Sequence, residues 1–319
     1  MARESALRLA FLGSPPFATP VFAAMVEAGF EIVGLVTSPP RRAGRGRKEV
    51  VNPLVELAQA QGIPVLRPES ARDAAFQQDF AAWQADVGVV VSYGQLLDQA
   101  LLDLPAQGCV NLHGSLLPRW RGASPVQAAL LAGDQETGVS LQQMVLALDA
   151  GPVLAERTAP IGDREEAPEL FARLADLGAS LLVEFFRDIE SSGGQLPPGK
   201  PQDESAVTVC RKVRKEQGVV DWHNSAAEMD RLVRAMASWP CAQTQLPNGD
   251  GLKIHRGHVV AGFPVAASGT IVALEPELVI ACGQGHFALD EVQREGKGRM
   301  VASDFLRGTS LAVGETLGA

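Results

Sequence analysis

An amide and an imidazole stand two positions apart near the middle of the chain. Asn111 and His113 lie in the apolar run 109–113, which Gly114 ends. The run is typical of a buried β-strand, and because side chains alternate along a strand, both polar side chains lie on one face. An amide N–H donates a hydrogen bond without ionising, and an imidazole can hydrogen-bond the same oxygen and move a proton. The pair could therefore stabilise an oxyanion and act in general acid–base catalysis.

The position of the pair near the end of a strand favours a functional role. Ligands of open α/β sheets bind beyond the carboxyl ends of the strands. The alternative is a structural hydrogen-bonding pair, because most buried polar groups satisfy one another within a fold.

Strands and helices alternate over the first 190 residues. Residues 7–12 and 31–37 read as strands on either side of a helix, which is an opening βαβ unit. Residues 86–92 are nearly all apolar, as in a strand buried on both faces. We predict an α/β fold with a doubly wound, mostly parallel, Rossmann-like sheet. The fingerprint G-x-G-x-x-G is missing after the first strand, which argues against bound NAD.

The sequence also predicts helices between the strands of this domain. Asn52 followed by Pro53 predicts a helix start with an asparagine cap. Residues 95–102 are also predicted to be helical and lead into the run 109–113.

The alternation stops after residue 190. A stretch rich in Ser, Gly and Pro follows, and beyond it short strands are separated by turn signals such as Asn248-Gly249. We therefore expect a catalytic domain at 1–190, a linker at 191–206 and a smaller, OB-like β-barrel domain at 207–319.

The composition is that of an ordinary globular protein. The chain has 319 residues, of which 46% are hydrophobic and 20% charged. No apolar run is long enough to span a membrane, and the first residues do not resemble a signal peptide. The four cysteines are far apart and form no CxxC motif, which fits a reducing compartment, so we expect a cytoplasmic protein. The net charge of −9 gives no global attraction for nucleic acid.

One local cluster of positive charge stands out against this acidic background. The segment 38–48 carries five cations among two prolines and two glycines, with no apolar periodicity. A solvated loop is the alternative, but we favour a flexible arm that binds phosphates. Its cations are Arg41, Arg42, Arg45, Arg47 and Lys48.

The segment 111–122, Asn-Leu-His-Gly-Ser-Leu-Leu-Pro-Arg-Trp-Arg-Gly, resembles the signature loop of enzymes that use 10-formyltetrahydrofolate. The resemblance to the methionyl-tRNA formyltransferases covers essentially the whole chain, and Asp149 matches their third catalytic position. Related formyltransferases of glycinamide ribonucleotide or an amino sugar nucleotide, and a formyltetrahydrofolate hydrolase, share these three positions. The insertion 42–48, the segment 220–222 and the C-terminal domain favour the tRNA enzymes.

This resemblance implies that the enzyme transfers the formyl group of 10-formyltetrahydrofolate to the α-amino group of methionyl initiator tRNA. It makes Asn111, His113 and Asp149 the catalytic residues, and it places Arg45 where it would reach the acceptor end. Folate is expected at the loop after residue 113, at the end of the strand 86–92 and at the turn before Asp149. The residues expected to contact folate are Ser115, Leu116, Leu117, Pro118, Val90, Val91, Tyr93 and Leu146.

The chemistry needs no covalent intermediate. An α-amino group has a pKa of about 7.7–8.0, so a useful neutral fraction attacks at physiological pH. Asn111 and His113 would stabilise the oxyanion and move protons, and Asp149, folded against His113, would hold its tautomer. Ser115 lacks a nucleophile elbow and Cys109 has no evident partner, so we predict direct transfer.

Two other functions stay open: a formyltransferase of a small amine, and a non-catalytic RNA-binding protein. The basic arm and the additional domain argue against the first, and the three catalytic positions argue against the second. A metal site at His113 and Asp149 has no third ligand at a recognisable spacing, and His255 and His258 resemble ordinary surface histidines. We expect no metal and a monomer.

Overall fold

The computed structural model describes residues 6–40, 42–43, 48–49 and 51–318. The chain forms two compact units, neither of which is continuous in sequence. The first contains the chain up to Gly122, Glu136–Pro160 and Phe171–Cys210. The second contains Ala123–Gln135, Ile161–Leu170 and the chain from Arg211 onward.

The first unit is built on a seven-stranded sheet. Its strands are β1 (Arg8–Gly13), β2 (Glu31–Val36), β5 (Val65–Leu66), β6 (Val87–Val91), β7 (Cys109–His113), β9 (Glu136–Gln143) and β10 (Val153–Pro160). Two short ladders lie outside it, formed by β3 (Arg42–Ala43) with β4 (Lys48–Glu49) and by β8 (Arg121–Gly122) with β11 (Val209–Cys210).

The strand order is β10-β9-β7-β6-β1-β2-β5. The strands from β7 to β5 run parallel, whereas β9 is antiparallel to β7 and β10 to β9. The chain therefore winds outward from β1 in both directions, and the predicted α/β fold with a mostly parallel sheet is confirmed. All five residues of β6 are buried, as its continuous apolar run predicts.

Helices cover this sheet and connect its strands. They are α1 (Ala18–Glu27), α2 (Pro53–Ala60), α3 (Ala74–Ala81), α4 (Gln99–Leu102) and α6 (Ala167–Ser191), the last beginning in the second unit. The predicted cap of α2 is confirmed, because the Asn52 side chain accepts a hydrogen bond from the Leu54 N–H.

The helix predicted at 95–102 is shorter than the pattern suggested and begins only at Gln99. Gln95 is used elsewhere: its side chain accepts from the Ala71 N–H and donates to the Pro68 carbonyl. Asp98 caps the short helix instead. A side chain that satisfies a neighbouring loop thus overrides the local helical pattern.

The second unit contains a separate antiparallel sheet. Its strands are β12 (Ala242–Gln245), β13 (Gly251–Val260), β16 (His286–Arg294), β15 (Leu278–Ala281) and β14 (Ile271–Ala273), in that order, with β17 (Met300–Val301) pairing β16. Its helices are α5 (Pro125–Ala132), α7 (Ala226–Ala235) and α8 (Ala302–Arg307). The buried core between these elements includes Trp222, Met229, Phe287 and Phe305.

The two edges of this sheet share one neighbour, the last segment of the chain. Gly318 pairs with Gln245 at the end of β12, and Thr316 pairs with Thr270 just before β14. The last segment of the chain thus pairs with part of each edge. Among the described residues, no helix has the length and apolarity needed to cross a bilayer.

Candidate active site

The carboxyl end of β7 carries the first two predicted catalytic residues. Asn111 is half-buried and His113 is buried. On the opposite face Leu112 lies against α6 at Gly178, where an added Cβ would be 2.6 Å from its Cδ2 atom. Tight packing on one face therefore directs Asn111 and His113 to the other, as the alternation predicts.

The loop after β7 holds the imidazole of His113. Its Nε2 lies 2.9 Å from the carbonyl oxygen of Trp120. A carbonyl only accepts, so Nε2 carries the hydrogen, and Nδ1 is the nitrogen that a proton can join or leave. Trp120 has a φ of +61°, a conformation that bulky residues rarely adopt, and its N–H donates to Thr208 Oγ1 at 2.8 Å.

Asp149 faces the other ring nitrogen of His113. Its Oδ2 lies 3.7 Å from Nδ1, a separation longer than a direct hydrogen bond. The same oxygen accepts from the Gly122 N–H at 2.8 Å, and Oδ1 accepts from Gln142 Nε2 at 3.0 Å. Asn111 is the ladder partner of Gln142 across β7 and β9. Asp149 thus faces His113 directly and contacts Gln142, the ladder partner of Asn111, so the three predicted catalytic residues lie near one another.

The segment 200–210 is attached to this site at several points. Strand β11 pairs with β8 and so fixes the end of the loop after β7. The Gln202 amide donates to the carbonyl oxygens of Asp149 at 2.8 Å and Gly151 at 2.7 Å. The turn that presents Asp149 therefore depends on a stretch whose composition predicts a linker.

Arg121 is turned inward. Its Nε donates to Gln202 Oε1 at 2.9 Å, and its guanidinium pairs with Glu204 at 2.8 Å. This hydrogen bond from Arg121 lowers the pKa of the Glu204 carboxyl. Arg119 instead lies over the Trp120 ring, 4.5 Å from its centre.

The eight predicted folate residues fall into two groups. Leu146 is 64% exposed, and Leu116 and Pro118 are partly exposed. The side chains of the other five are buried, so only their backbone groups could meet a ligand: Ser115, Leu117, Val90, Val91 and Tyr93.

Ser115 and Tyr93 show why burial matters for these predictions. The Ser115 hydroxyl donates to the Arg119 carbonyl at 2.6 Å and is committed to the loop. The Tyr93 hydroxyl is buried without a hydrogen-bond partner among the described residues, and burial raises the pKa of Tyr93 to about 12. The Tyr93 ring packs in the core cluster beside Leu101 and Phe76.

The predicted phosphate-binding arm is only partly described. Arg41, Arg45 and Arg47 lie outside the described residues. Arg42 and Lys48 belong to β3 and β4, which pair antiparallel, and nothing is described of their side chains.

Sequence reasoning missed three residues of the site: Gln142, Gln202 and Thr208. Gln142 left a signal, because a polar residue follows Val139 and Leu141 in an inner strand. Gln202 and Thr208 left none, since their contacts to Asp149, Gly151 and Trp120 depend on long-range pairing.

Within the described part of the chain, one group of side chains has the spacing of metal ligands. It comprises His258, Glu277 and Asp290 of the second unit. His258 Nδ1 lies 2.9 Å from Asp290, and Nε2 lies 3.5 Å from Glu277. Both ring nitrogens thus face carboxylates.

Comparisons with known proteins find relatives for both the first and the last part of the chain. A family model described as formyl transferase matches residues 7–186, and one described as formyl transferase, C-terminal domain, matches residues 212–310. The chain is 42% identical over 312 residues to a methionyl-tRNA formyltransferase of Paramagnetospirillum magneticum, covering 98% of this chain and 100% of that protein. It is 44% identical over 310 residues to one of Roseobacter denitrificans, covering 97% and 98%.

Solved structures resemble the chain in fold. HypX from Aquifex aeolicus in complex with tetrahydrofolic acid matches with a TM-score of 0.61 at 16% identity, covering 95% of this chain and 47% of HypX. The sugar 3N-formyl transferase WlaRD matches with a TM-score of 0.65 at 14% identity, covering 92% of this chain and 100% of that protein. The chain thus spans about half the length of HypX and the full length of WlaRD.

Proposed function

The chain belongs to the formyl transferase family, and we propose that it transfers the formyl group of 10-formyltetrahydrofolate to the α-amino group of methionyl initiator tRNA. Full-length relatives that carry the name methionyl-tRNA formyltransferase support this substrate. In this proposal the amine attacks the formyl carbon directly, and Asn111, His113 and Asp149 surround the reacting group.

The observation that carries the catalytic part is the environment of the His113 ring. Nε2 donates to the Trp120 carbonyl, and Nδ1 faces the Asp149 carboxylate at 3.7 Å. Nδ1 is then the atom that takes the proton lost by the attacking amine and returns it to the leaving folate nitrogen. Asp149 stabilises the protonated ring, whereas the Trp120 carbonyl fixes the tautomer, a task expected of Asp149 from the resemblance.

Asn111 supplies the donor for the oxyanion. Its half-buried position on the face of His113 suits an amide N–H that points at the developing charge. One preorganised donor of this kind typically lowers the barrier by about 2.7–4 kcal/mol. Proton transfer by His113 adds roughly 10²–10⁴-fold in rate.

We place the folate co-substrate beside the end of β6 and the turn before Asp149. Leu146 and Leu148 in that turn are exposed and offer apolar surface, and backbone groups at strand ends can meet the edge of a pterin. No step of this reaction requires a metal.

We propose that residues 207–319 form an OB-like barrel that binds tRNA, joined through 191–206 to a catalytic domain at 1–190. The support for tRNA binding is a groove of about 640 Å³ in the second unit, lined in part by Trp239, Lys215 and Lys253. Trp239 is 55% exposed, and bases stack on such rings while lysines meet phosphates. The arm with Arg45 is the second contact in this proposal.

The test is a transfer assay with three acceptors: methionyl initiator tRNA, an amino sugar nucleotide and glycinamide ribonucleotide. With 10-formyltetrahydrofolate, we expect formyl-methionyl-tRNA and no product from the two small amines. The D149N and H113Q variants should lose roughly 10²–10⁴-fold in kcat. Formylation of a small amine instead, or tRNA binding without transfer, would contradict the proposal.

A further inference from the structure

Both oxygens of the Asp149 carboxylate have an N–H donor other than His113. The Gly122 N–H donates to Oδ2 at 2.8 Å, and Gln142 Nε2 donates to Oδ1 at 3.0 Å. The Nδ1 atom of His113 is 3.7 Å away and so does not fix the carboxylate. The direction in which Asp149 faces the imidazole is therefore set by Gly122 and Gln142.

Gln142 is held in one orientation. Its side chain is on β9 and the residue is only 2% exposed. Because a carboxylate can only accept, the NH₂ end of the amide must face Asp149. The Oε1 end faces Gln202 Nε2 at 3.4 Å, so the opposite orientation would place two donors together.

Gln202 holds the backbone of the turn that contains Asp149. Its two N–H groups donate to the carbonyls of Asp149 and Gly151, and its own oxygen accepts from Arg121 Nε. Asp149 has a φ of +48°, a left-handed conformation that survives where surrounding bonds enforce it. One amide thus fixes the turn, and the other fixes the carboxylate.

We propose that Gln142 is a positioning residue of the transfer reaction, which holds the Asp149 carboxylate against His113. The proposal rests on the proposed function, because it assigns Gln142 a task only if Asp149 stabilises the protonated imidazole. Gln142 does not touch the reacting atoms and acts through Asp149.

The first test replaces Gln142 by methionine, which keeps the volume and removes the donor. Oδ1 of Asp149 would then lose its N–H partner, and the carboxylate would turn or recruit water. We expect kcat to fall roughly 10–100-fold, the range for a misplaced catalytic group, with both KM values near those of the parent. Gln143→Met is the matched control, because Gln143 is the next residue of β9 and bonds the Gln107 carbonyl instead.

The second test is the pH profile of Q142E. The introduced carboxyl can donate to Asp149 only while it is protonated, and two adjacent carboxyls keep one proton to a higher pH than either would alone. The ratio of kcat for Q142E to kcat for the parent should therefore rise as pH falls and be lost as pH rises. Gln142→Met should show a reduced ratio that does not change with pH.

Melting curves at each pH separate this effect from unfolding, because a packing role alone would move stability and activity together. D149N is measured in parallel, because it tests the proposed catalytic site separately from the positioning role of Gln142. If D149N keeps full activity, the proposed catalytic site itself is wrong. If D149N is inactive while Q142M matches the parent and the Q142E ratio is flat, the proposed function stands and the role of Gln142 is refuted.

Discussion

At the scale of single residues, three of the five non-glycine residues with a positive φ in the described part of the chain belong to the site or to the strand end beside it. Ser92, Trp120 and Asp149 have φ values of +50°, +61° and +48°, in the left-handed region that favours glycine. Such conformations cost about 1–3 kcal/mol each and persist where the surroundings over-determine them. For Trp120 the surroundings are Thr208, which accepts from its N–H, and His113, which donates to its carbonyl. The strained backbone of Trp120 thus costs stability and places its carbonyl oxygen against the imidazole of His113.

The thiol of Cys109 is the nearest candidate for a covalent nucleophile on the strand of the site. Cys109 begins the strand that carries Asn111 and His113, and it is 1% exposed. Burial raises the pKa of its thiol to about 12, so the thiolate, which is the reactive form, is scarce at neutral pH. We expect C109S to keep the parent kcat, and intact-mass spectrometry of the parent with 10-formyltetrahydrofolate alone to show no formyl adduct. An adduct on any residue would establish a covalent route in place of direct transfer.

At the scale of elements, the ladder of β8 and β11 depends on one glycine. Gly122 has a φ of +121°, and a Cβ there would lie 2.0 Å from the Cys210 carbonyl oxygen. Gly122→Ala would push the two strands apart and withdraw the N–H that donates to Asp149. We expect a loss of about 1–3 kcal/mol in the free energy of unfolding, measured by denaturant titration. We also expect kcat to fall about 100-fold, because the Asp149 carboxylate would be displaced.

Gly29→Ala is the matched control for this substitution. Gly29 has a φ of +77° but meets nothing within 4 Å, so it tests the cost of the conformation without the clash. This variant should lose stability and keep its activity. Equal kcat values for the two variants would show that the ladder does not position Asp149.

Sequence patterns predict some of these elements and not others, for physical reasons. Strands β6 and β7 are predictable, because an apolar run bounded by glycine has few other conformations in a globular fold. The ladder of β8 and β11 is not, since two-residue strands show no periodicity and their partners are far apart in the chain. The role of Gln202 is hidden for the same reason: composition around it predicts a linker, and only tertiary pairing brings its amide to Asp149.

The proposed catalytic site follows the same division. Asn111 and His113 were predicted from alternation and strand position, and Asp149 from a resemblance, because a turn aspartate alone is indistinguishable from a cap. The Trp120 carbonyl could not be predicted as the partner of His113, since it depends on an unusual backbone conformation.

At the scale of the whole molecule, charge is unevenly distributed. The chain carries a net charge of −9, yet five cations fall within residues 41–48. In the second unit, Lys253 lies between Gln243 and Gln293 on neighbouring strands of the groove that Trp239 borders. An acidic protein that binds RNA must do so through local patches, because its overall charge repels phosphates.

Salt dependence measures how many of these cations meet phosphate. Each lysine or arginine that neutralises a phosphate adds about 0.7–0.9 to the slope of log K against log salt concentration. We expect R45A and K253Q each to weaken binding of methionyl initiator tRNA and to lower this slope by about that amount. R157Q is the charge-matched control, because Arg157 already pairs with Glu184, and its slope should equal that of the parent. If all three variants shifted the slope equally, net charge alone would govern binding, whereas unchanged slopes in R45A and K253Q would remove the arm and the groove from the tRNA interface.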